Sequence, residues 1–259
     1  MFILKLGGSV ITDKTRKCCF KEKVVDNLAS EIRRSNKEAI LIHGAGSFGH
    51  ILAKQYNLNE GYIQESQIKG FSLTHEMVQR LNSLVLQSLH KNDISAVSIS
   101  PHSIIKLNNH KLEKMNYKIF EEYLEKKFTP VTFGDVVLDK KLGFSICSGD
   151  LLVNVLTEYF KPEKVVFVID EDGLYTANPK IDKNAKLISS ATHDELEEFS
   201  TSSDKHADVT RGMSGKIDVI RNITKLGIDT ILVNGNKQGR LYNILVRKDT
   251  KCSIIHGGK

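Results

Sequence analysis

Three lysines stand beside three glycine-bearing turns in this chain, a combination suited to holding and moving a phosphoryl group. Lys5 lies within the apolar run Phe2–Leu6 and precedes Gly7-Gly8-Ser9, Lys14 lies just beyond that turn, and Lys216 follows Gly212-Met213-Ser214-Gly215. Glycines let backbone N–H groups approach an anion, and a helix N-terminus adds the positive end of its dipole. Lys14 or Lys216 taken singly reads as a solvated surface lysine. Lys5 does not, because an ammonium inside a buried strand is costly unless something anionic faces it. The third turn, Gly44-Ala45-Gly46-Ser47-Phe48-Gly49-His50, fits the pattern G-x-G-x-x-G and follows the apolar run Ala39–His43. A dinucleotide site would also need an acidic residue about 20 positions further on, at the end of another strand. There the chain has the polar stretch 60–69, so the turn reads as an anion cradle rather than a nicotinamide site. His50 either reaches that anion or serves structure alone. No G-x-x-x-x-G-K-[ST] occurs, so a P-loop is excluded.

The carboxylates divide in a similar way. Asp135 follows Gly134 at an expected strand end and is the better placed to pair with lysines. Asp150 follows Ser148-Gly149 at an expected helix start, where it could be only a charge suited to the helix dipole, with Ser148 as the cap. Asp170-x-Asp172-Gly173 invites a calcium-loop reading, but the loop lacks the third early oxygen ligand and its glycine, and position twelve would be Ile181. Cys18, Cys19, Cys147 and Cys252 show no C-x-x-C spacing, so neither a zinc site nor a disulfide framework is expected, and a reducing cytoplasm is. No metal-ligating set is expected at all.

The elements that must position these residues alternate between strand and helix. Phe2–Leu6, Ala39–His43, 96–99, 130–133, Lys164–Ile169, 230–233 and Cys252–Ile255 read as strands, and 136–138 with 144–147 as a hairpin. Val24, Leu28 and Ile32 recur at helical spacing, as do Met77, Leu81, Leu84 and Val85, then Leu151, Leu152, Val155, Leu156 and Tyr159. A further helix is expected to begin near Met213, and another just after Gly70, while 189–208 reads as a polar, mobile segment. Such alternation predicts an open, mostly parallel α/β/α sheet whose ligands bind beyond the carboxyl ends of the strands.

Composition agrees. The 259 residues are 40% hydrophobic and 26% charged, which excludes disorder and collagen-like repeats. The longest apolar runs are strand-sized, far short of the roughly 18 residues of a membrane span, and no signal peptide is visible. The net charge of +6 could suggest nucleic acid, but basic and acidic residues are interspersed; 111–127, with Glu113, Glu121, Glu122 and Glu125 among its lysines, reads as a solvated helix face. Neither a nucleic-acid nor a membrane partner is expected.

The motifs around Lys5 to Ser9, His43 to His50, Asp170-x-Asp172-Gly173-Leu174-Tyr175 with Asn178-Pro179, and Asp208-Val209-Thr210-x-Gly212-Met213-x-x-Lys216 together resemble the amino acid kinase family. Order and spacing agree over nearly the whole chain. The tail Ser47-Phe48-Gly49-His50 is similar to the branch acting on isopentenyl phosphate, with the fosfomycin-phosphorylating branch beside it. The resemblance implies a three-layer α/β/α sandwich over 1–259 and ATP-dependent conversion of isopentenyl phosphate to the diphosphate. It also implies Mg²⁺ with the ATP, and a homodimer. Residues up to about 160 would hold the acceptor, and 161–259 the nucleotide. Matched by position, Lys5, Lys14 and Lys216 would ring the transferred group, Asp135 would hold lysines in place, and His50 would bind the acceptor phosphate. Gly8, Ser9, Asp170, Gly173, Tyr175, Pro179, Lys180, Gly212 and Met213 would fall on the nucleotide side. Ala45, Gly46, Ser47, Gly49 and Gly149 would border the acceptor, with Phe71, Thr74, Val136 and Ile146 towards its tail. The sequence departs from the family pattern at Ala45, at Arg211 and at Leu151, the last standing where a second Asp is often seen. Two readings from other classes are a nicotinamide-dependent oxidoreductase and a non-catalytic nucleotide sensor.

Overall fold

Phe2, Leu4 and Leu6 join one apolar cluster and Ile3 another, so strand β1 (Phe2–Leu6) is buried on both faces. Successive side chains of a strand point to opposite faces, and a continuous apolar run is what a covered sheet demands. A computed structural model of the chain describes residues 1–13, 15–196 and 211–258, apart from the side chains of 211–214. Its strands continue with β2 (Ala39–His43), β3 (Ala96–Ser98), β4 (Ile105–Asn108), β5 (Lys111–Met115), β6 (Thr129–Phe133), β7 (Asp135–Asp139) and β8 (Gly143–Cys147). Then come β9 (Lys164–Ile169), β10 (Leu174–Tyr175), β11 (Leu187–Ile188), β12 (Ser190–Ala191), β13 (Asp229–Asn234) and β14 (Cys252–Ile255).

The main sheet has eight strands in the order β12-β14-β13-β9-β1-β2-β6-β3. Every pairing in it is parallel except β13 with β14. β1 lies between β2 and β9, so the chain departs from β1 in one direction and later returns to its other side. That is the switch point at which open α/β sheets bind ligands.

The helices are α1 (Gly8–Ile11), α2 (Glu22–Ser35), α3 (Gly46–Gln55), α4 (Ser66–Lys91), α5 (Pro101–Ile104), α6 (Lys118–Glu125), α7 (Gly149–Phe160), α8 (Arg211–Lys225) and α9 (Arg240–Leu245). One face of the sheet is covered by Leu28 and Ile32 of α2, Leu81 and Val85 of α4, and Leu241 and Leu245 of α9. The other is covered by Phe120 of α6, Leu152 and Leu156 of α7, and Ile220 and Ile223 of α8. This is the expected three-layer α/β/α sandwich with a mostly parallel sheet. No helix among the described residues is long and apolar enough to cross a membrane.

Two expectations are corrected. Segment 111–127 is not one helix: Lys111–Met115 is an outer strand of a second sheet, ordered β5-β4-β7-β8, and only Lys118–Glu125 is helical. Lys111, Glu113 and Lys114 are exposed on that edge, and charged edge residues, which discourage pairing with another chain, hide the alternation of a strand. Likewise α4 begins at Ser66 rather than after Gly70, which lies inside it against Tyr56. Of the segment read as mobile, 197–208 lies outside the described residues; Ser190–Ala191 forms β12.

The buried Glu31 of α2 accepts hydrogen bonds from Gly239 N (2.6 Å) and Tyr242 N (2.8 Å), satisfying free donors at the start of α9. Its replacement leaves those donors unpaired. Glu31→Ala is expected to destabilise the fold by about 1–3 kcal/mol and Glu31→Gln by less, read from urea unfolding midpoints at constant slope.

Candidate active site

The glycine turns after β1 and β2 meet at the carboxyl edge of the sheet. A Cβ on Gly8 would stand 2.7 Å from Gly46 N, and one on Gly44 2.8 Å from Gly8 N, so only glycine allows this approach. Thr12 Oγ1 ties the turns together by donating to Gly8 O (2.6 Å) and accepting from Ser47 N (3.0 Å). The N-terminus of α3 therefore opens where Gly44, Ala45 and Gly46 pass the first turn. Gly134, after β6, lies against Ala45 N and Gly149 N, which brings Ala45, Gly46, Ser47 and Gly149 around one junction. Ser47 Oγ is buried without a hydrogen-bond partner among the described residues.

Lys5 is 6% exposed and reaches the carboxylate of Asp150, at the start of α7. Lys216 of α8 approaches the same carboxylate, its Nζ 3.5 Å from Asp150 Oδ1. Both ammonium groups also lie over the Phe167 ring, at 5.8 and 5.1 Å from its centroid. Gly149 gives Lys5 its path, since a Cβ there would lie 3.2 Å from Lys5 Cε. Burial, with Lys216 close by, lowers the Lys5 ammonium to about 8 despite the carboxylate. Burial alone would raise the Asp150 carboxyl, but the two ammonium groups hold it below the usual range.

Beyond β9, Ser9 Oγ donates to Asp170 Oδ1 (2.9 Å), and Lys180 lies 3.6 Å from Asp170 and 2.7 Å from Glu171. Gly173, Tyr175 and Pro179 follow in the same segment, with Leu174 and Tyr175 paired to β11. Gly8, Ser9, Asp170 and Lys180 are thus neighbours across β1 and β9. His50 is exposed on α3, Phe71 is half-buried on α4, and Thr74 is buried near Gly49 with its Oγ1 lacking a partner among the described residues. Lys14 lies outside the described residues, and of Gly212 and Met213 only the backbone, within α8, is described.

The structure corrects one pairing. Asp135, expected to hold lysines, faces His75 and His102 instead, and the carboxylate on Lys5 and Lys216 is that of Asp150. Asp135 stands at the hairpin start on the side of α4, whereas Asp150 is carried back by α7 over β1. Ser148 does cap α7, accepting from Leu151 N (3.0 Å), so Asp150 sits at a helix start and on the lysines at once. Neither His75 nor His102 carries a local signal of this meeting, because Asp135, which both face, comes from a distant segment.

Residues 1–234 match the amino acid kinase family, and the chain belongs to it. It is 35% identical to an isopentenyl phosphate kinase of Methanothermobacter thermautotrophicus, covering 99% of both chains. It is 34% identical to one of Methanocaldococcus jannaschii, covering 94% of each. A solved isopentenyl phosphate kinase structure superimposes with a TM-score of 0.87 at 32% identity, covering 98% of this chain and 99% of that one.

Lys5 is expected to lose its proton near pH 8 rather than at the ordinary 10.5, and at a lower pH still in Asp150→Asn, because the carboxylate that favours the ammonium is gone. The rate of Lys5 acetylation against pH, followed by mass spectrometry, reads this directly. An unshifted midpoint in both proteins would contradict the buried pairing.

Proposed function

We propose that this protein transfers the terminal phosphoryl group of ATP to the phosphate of isopentenyl phosphate, giving the diphosphate and ADP. The observation that carries the reading is the pair of lysines held on Asp150 between the turn at Gly44 to Gly49 and the segment at Asp170 to Lys180. The near full-length similarity to isopentenyl phosphate kinases supports it and selects the acceptor. In this reading residues to about 160 serve the acceptor and 161–259 the nucleotide, and the enzyme is a cytoplasmic homodimer.

The bond from the γ-phosphorus to the bridging oxygen of ADP breaks as an oxygen of the acceptor phosphate bonds to that phosphorus. The transition state is loose, so alignment and charge neutralisation supply most of the acceleration. Lys5 and Lys216 neutralise the transferred group, joined by Lys14, while Asp150 sets the position of the first two. A phosphate monoester with its second pKa near 6 is largely dianionic at neutral pH, so no side chain need remove a proton. The α3 N-terminus, Ser47 Oγ and His50 receive the acceptor phosphate. Asp150, engaged by both lysines, is poorly suited to ligate a cation; Mg²⁺ therefore enters as part of the nucleotide substrate. Phe71, its ring 5.2 Å from that of Phe144, packs with Val136 and Ile146 in an apolar cluster suited to a short hydrocarbon tail.

A coupled assay of ADP release over isopentenyl phosphate, dimethylallyl phosphate, fosfomycin and acetylglutamate tests the assignment. The largest kcat/KM is expected with isopentenyl phosphate, and preference for fosfomycin or acetylglutamate would overturn it. Asp150→Asn should lower kcat by about a hundredfold or more with smaller changes in either KM. His50→Ala should weaken acceptor binding by about 1.5–3 kcal/mol, leave ATP binding nearly intact, and be partly rescued by Gln; equal losses for both ligands would remove His50 from the acceptor site. Phe71→Ala should raise the kcat/KM of geranyl phosphate relative to isopentenyl phosphate, each newly accommodated CH₂ contributing about 0.8 kcal/mol. A folded, active variant with no such gain would take Phe71 out of the pocket wall.

A further inference from the structure

Asp135 presents a different problem from Asp150: its side chain is fully buried, and no lysine or arginine among the described residues pairs with it. Its Oδ1 accepts from Val136 N (2.8 Å), which leaves Oδ2 aimed at two imidazoles. His75 Nδ1, from α4, lies 2.9 Å from Oδ2, and His102 Nδ1, from α5, lies 3.9 Å from it. The two rings meet edge to face with centroids 4.2 Å apart. One aspartate–histidine hydrogen bond would account for His75. His102 is oriented separately, with Ser100 Oγ 2.9 Å from its Nδ1 and Ser103 Oγ 3.1 Å from its Nε2, so a second imidazole nitrogen is held towards the same carboxylate oxygen without bonding to it.

We propose that His75, His102 and Asp135 form a site for one divalent transition-metal ion of the zinc type, beside the acceptor turn and apart from the lysines. The three ligand atoms lie within 4.8 Å of one another. A tetrahedral ion with bonds of about 2.0–2.1 Å needs ligand atoms roughly 3.3 Å apart, between the two separations from Oδ2 given above. Two imidazoles and one carboxylate suit zinc, cobalt, nickel or ferrous ions, whereas magnesium and calcium prefer oxygen throughout. An outer partner for His102 is in place. Ser103 Oγ lies 3.1 Å from His102 Nε2 and can take that proton, which leaves Nδ1 as the unprotonated nitrogen, accepting from Ser100 Oγ until an ion replaces that hydrogen bond. Once an ion takes Nδ1, the Ser100 hydroxyl, still held by Gln79 Nε2 at 2.6 Å, is released to hydrogen-bond a water in the fourth position.

The site joins α4, α5 and the first residue of β7. Because α4 also carries Phe71 and Thr74, an ion there braces the helix of the acceptor wall against the hairpin. Its role is positional and does not depend on the kinase assignment, so it can be tested by metal binding without an assay of turnover.

Untagged full-length protein, freed of metal by dialysis against a chelator, is titrated with Zn²⁺ alone and Co²⁺ alone. One ion per chain is expected to bind, with visible cobalt bands of a four- or five-coordinate complex, no sulfur-to-metal charge transfer, and a rise in Tm with Zn²⁺. His102→Ala and the near-isosteric Asp135→Asn should each weaken binding by about tenfold or more and abolish the rise in Tm. His102 is exposed, so its truncation tests the site without opening the core. The double variant Cys18→Ser, Cys19→Ser should bind as the parent does. Failure to bind at about a hundred micromolar ion, binding that survives both site variants, loss of binding in the cysteine variant, or displacement by millimolar Mg²⁺ would each overturn the site.

Discussion

A buried ammonium cannot stand without a counter-charge, and the arrangement around Lys5 follows from that constraint. Strand β1 is covered on both faces, so the Lys5 side chain must leave the sheet among apolar groups and find an anion there. Asp150 supplies it from the first turn of α7, and the missing side chain of Gly149 gives the lysine room to pass. Lys216 reaches the same carboxylate from a helix much later in the chain. One carboxylate between two cations leaves net positive charge at the carboxyl edge of the sheet, which suits a phosphoryl group in transfer.

The glycine contacts make that edge a single surface. Gly8 and Gly44 bring two turns within backbone contact, and Thr12 links the first turn to α3. On the other side of β1, Ser9 bonds to Asp170. The residues proposed for the acceptor and those proposed for the nucleotide therefore flank one strand, with Lys5 between them. A phosphoryl group needs to move only a short distance across such a strand end, so close positioning can replace large motions of the chain.

The two buried aspartates illustrate how environment divides like residues. Asp150, between ammonium groups, is held below the usual carboxylate range, whereas burial pushes Asp135, which faces imidazoles, up to about 7. Their positions differ as much as their charges. Asp135 opens the hairpin beside α4 and α5, away from Lys5, and Asp150 begins the helix that returns over the central strands. Each is thereby limited to its own partners.

Much of what depended on neighbours a few residues away was legible in the sequence. The apolar runs Phe2–Leu6 and Lys164–Ile169, the helical spacing of Val24, Leu28 and Ile32, the cap at Ser148 and the need of Lys5 for an anion all express local periodicity or the cost of burial. The edge strand Lys111–Met115 escaped because its outward charges resemble a helix face when the partner strand is not seen. Choosing Asp150 over Asp135 for Lys5 required knowing which residues meet across 145 positions, and joining His75, His102 and Asp135 required three elements packed together. Residue type and local spacing determined the sandwich and the kind of chemistry that its glycines and lysines could support. Strand order and helix packing, which act between segments far apart in the chain, alone decided which carboxylate faces the lysines and which faces the histidines.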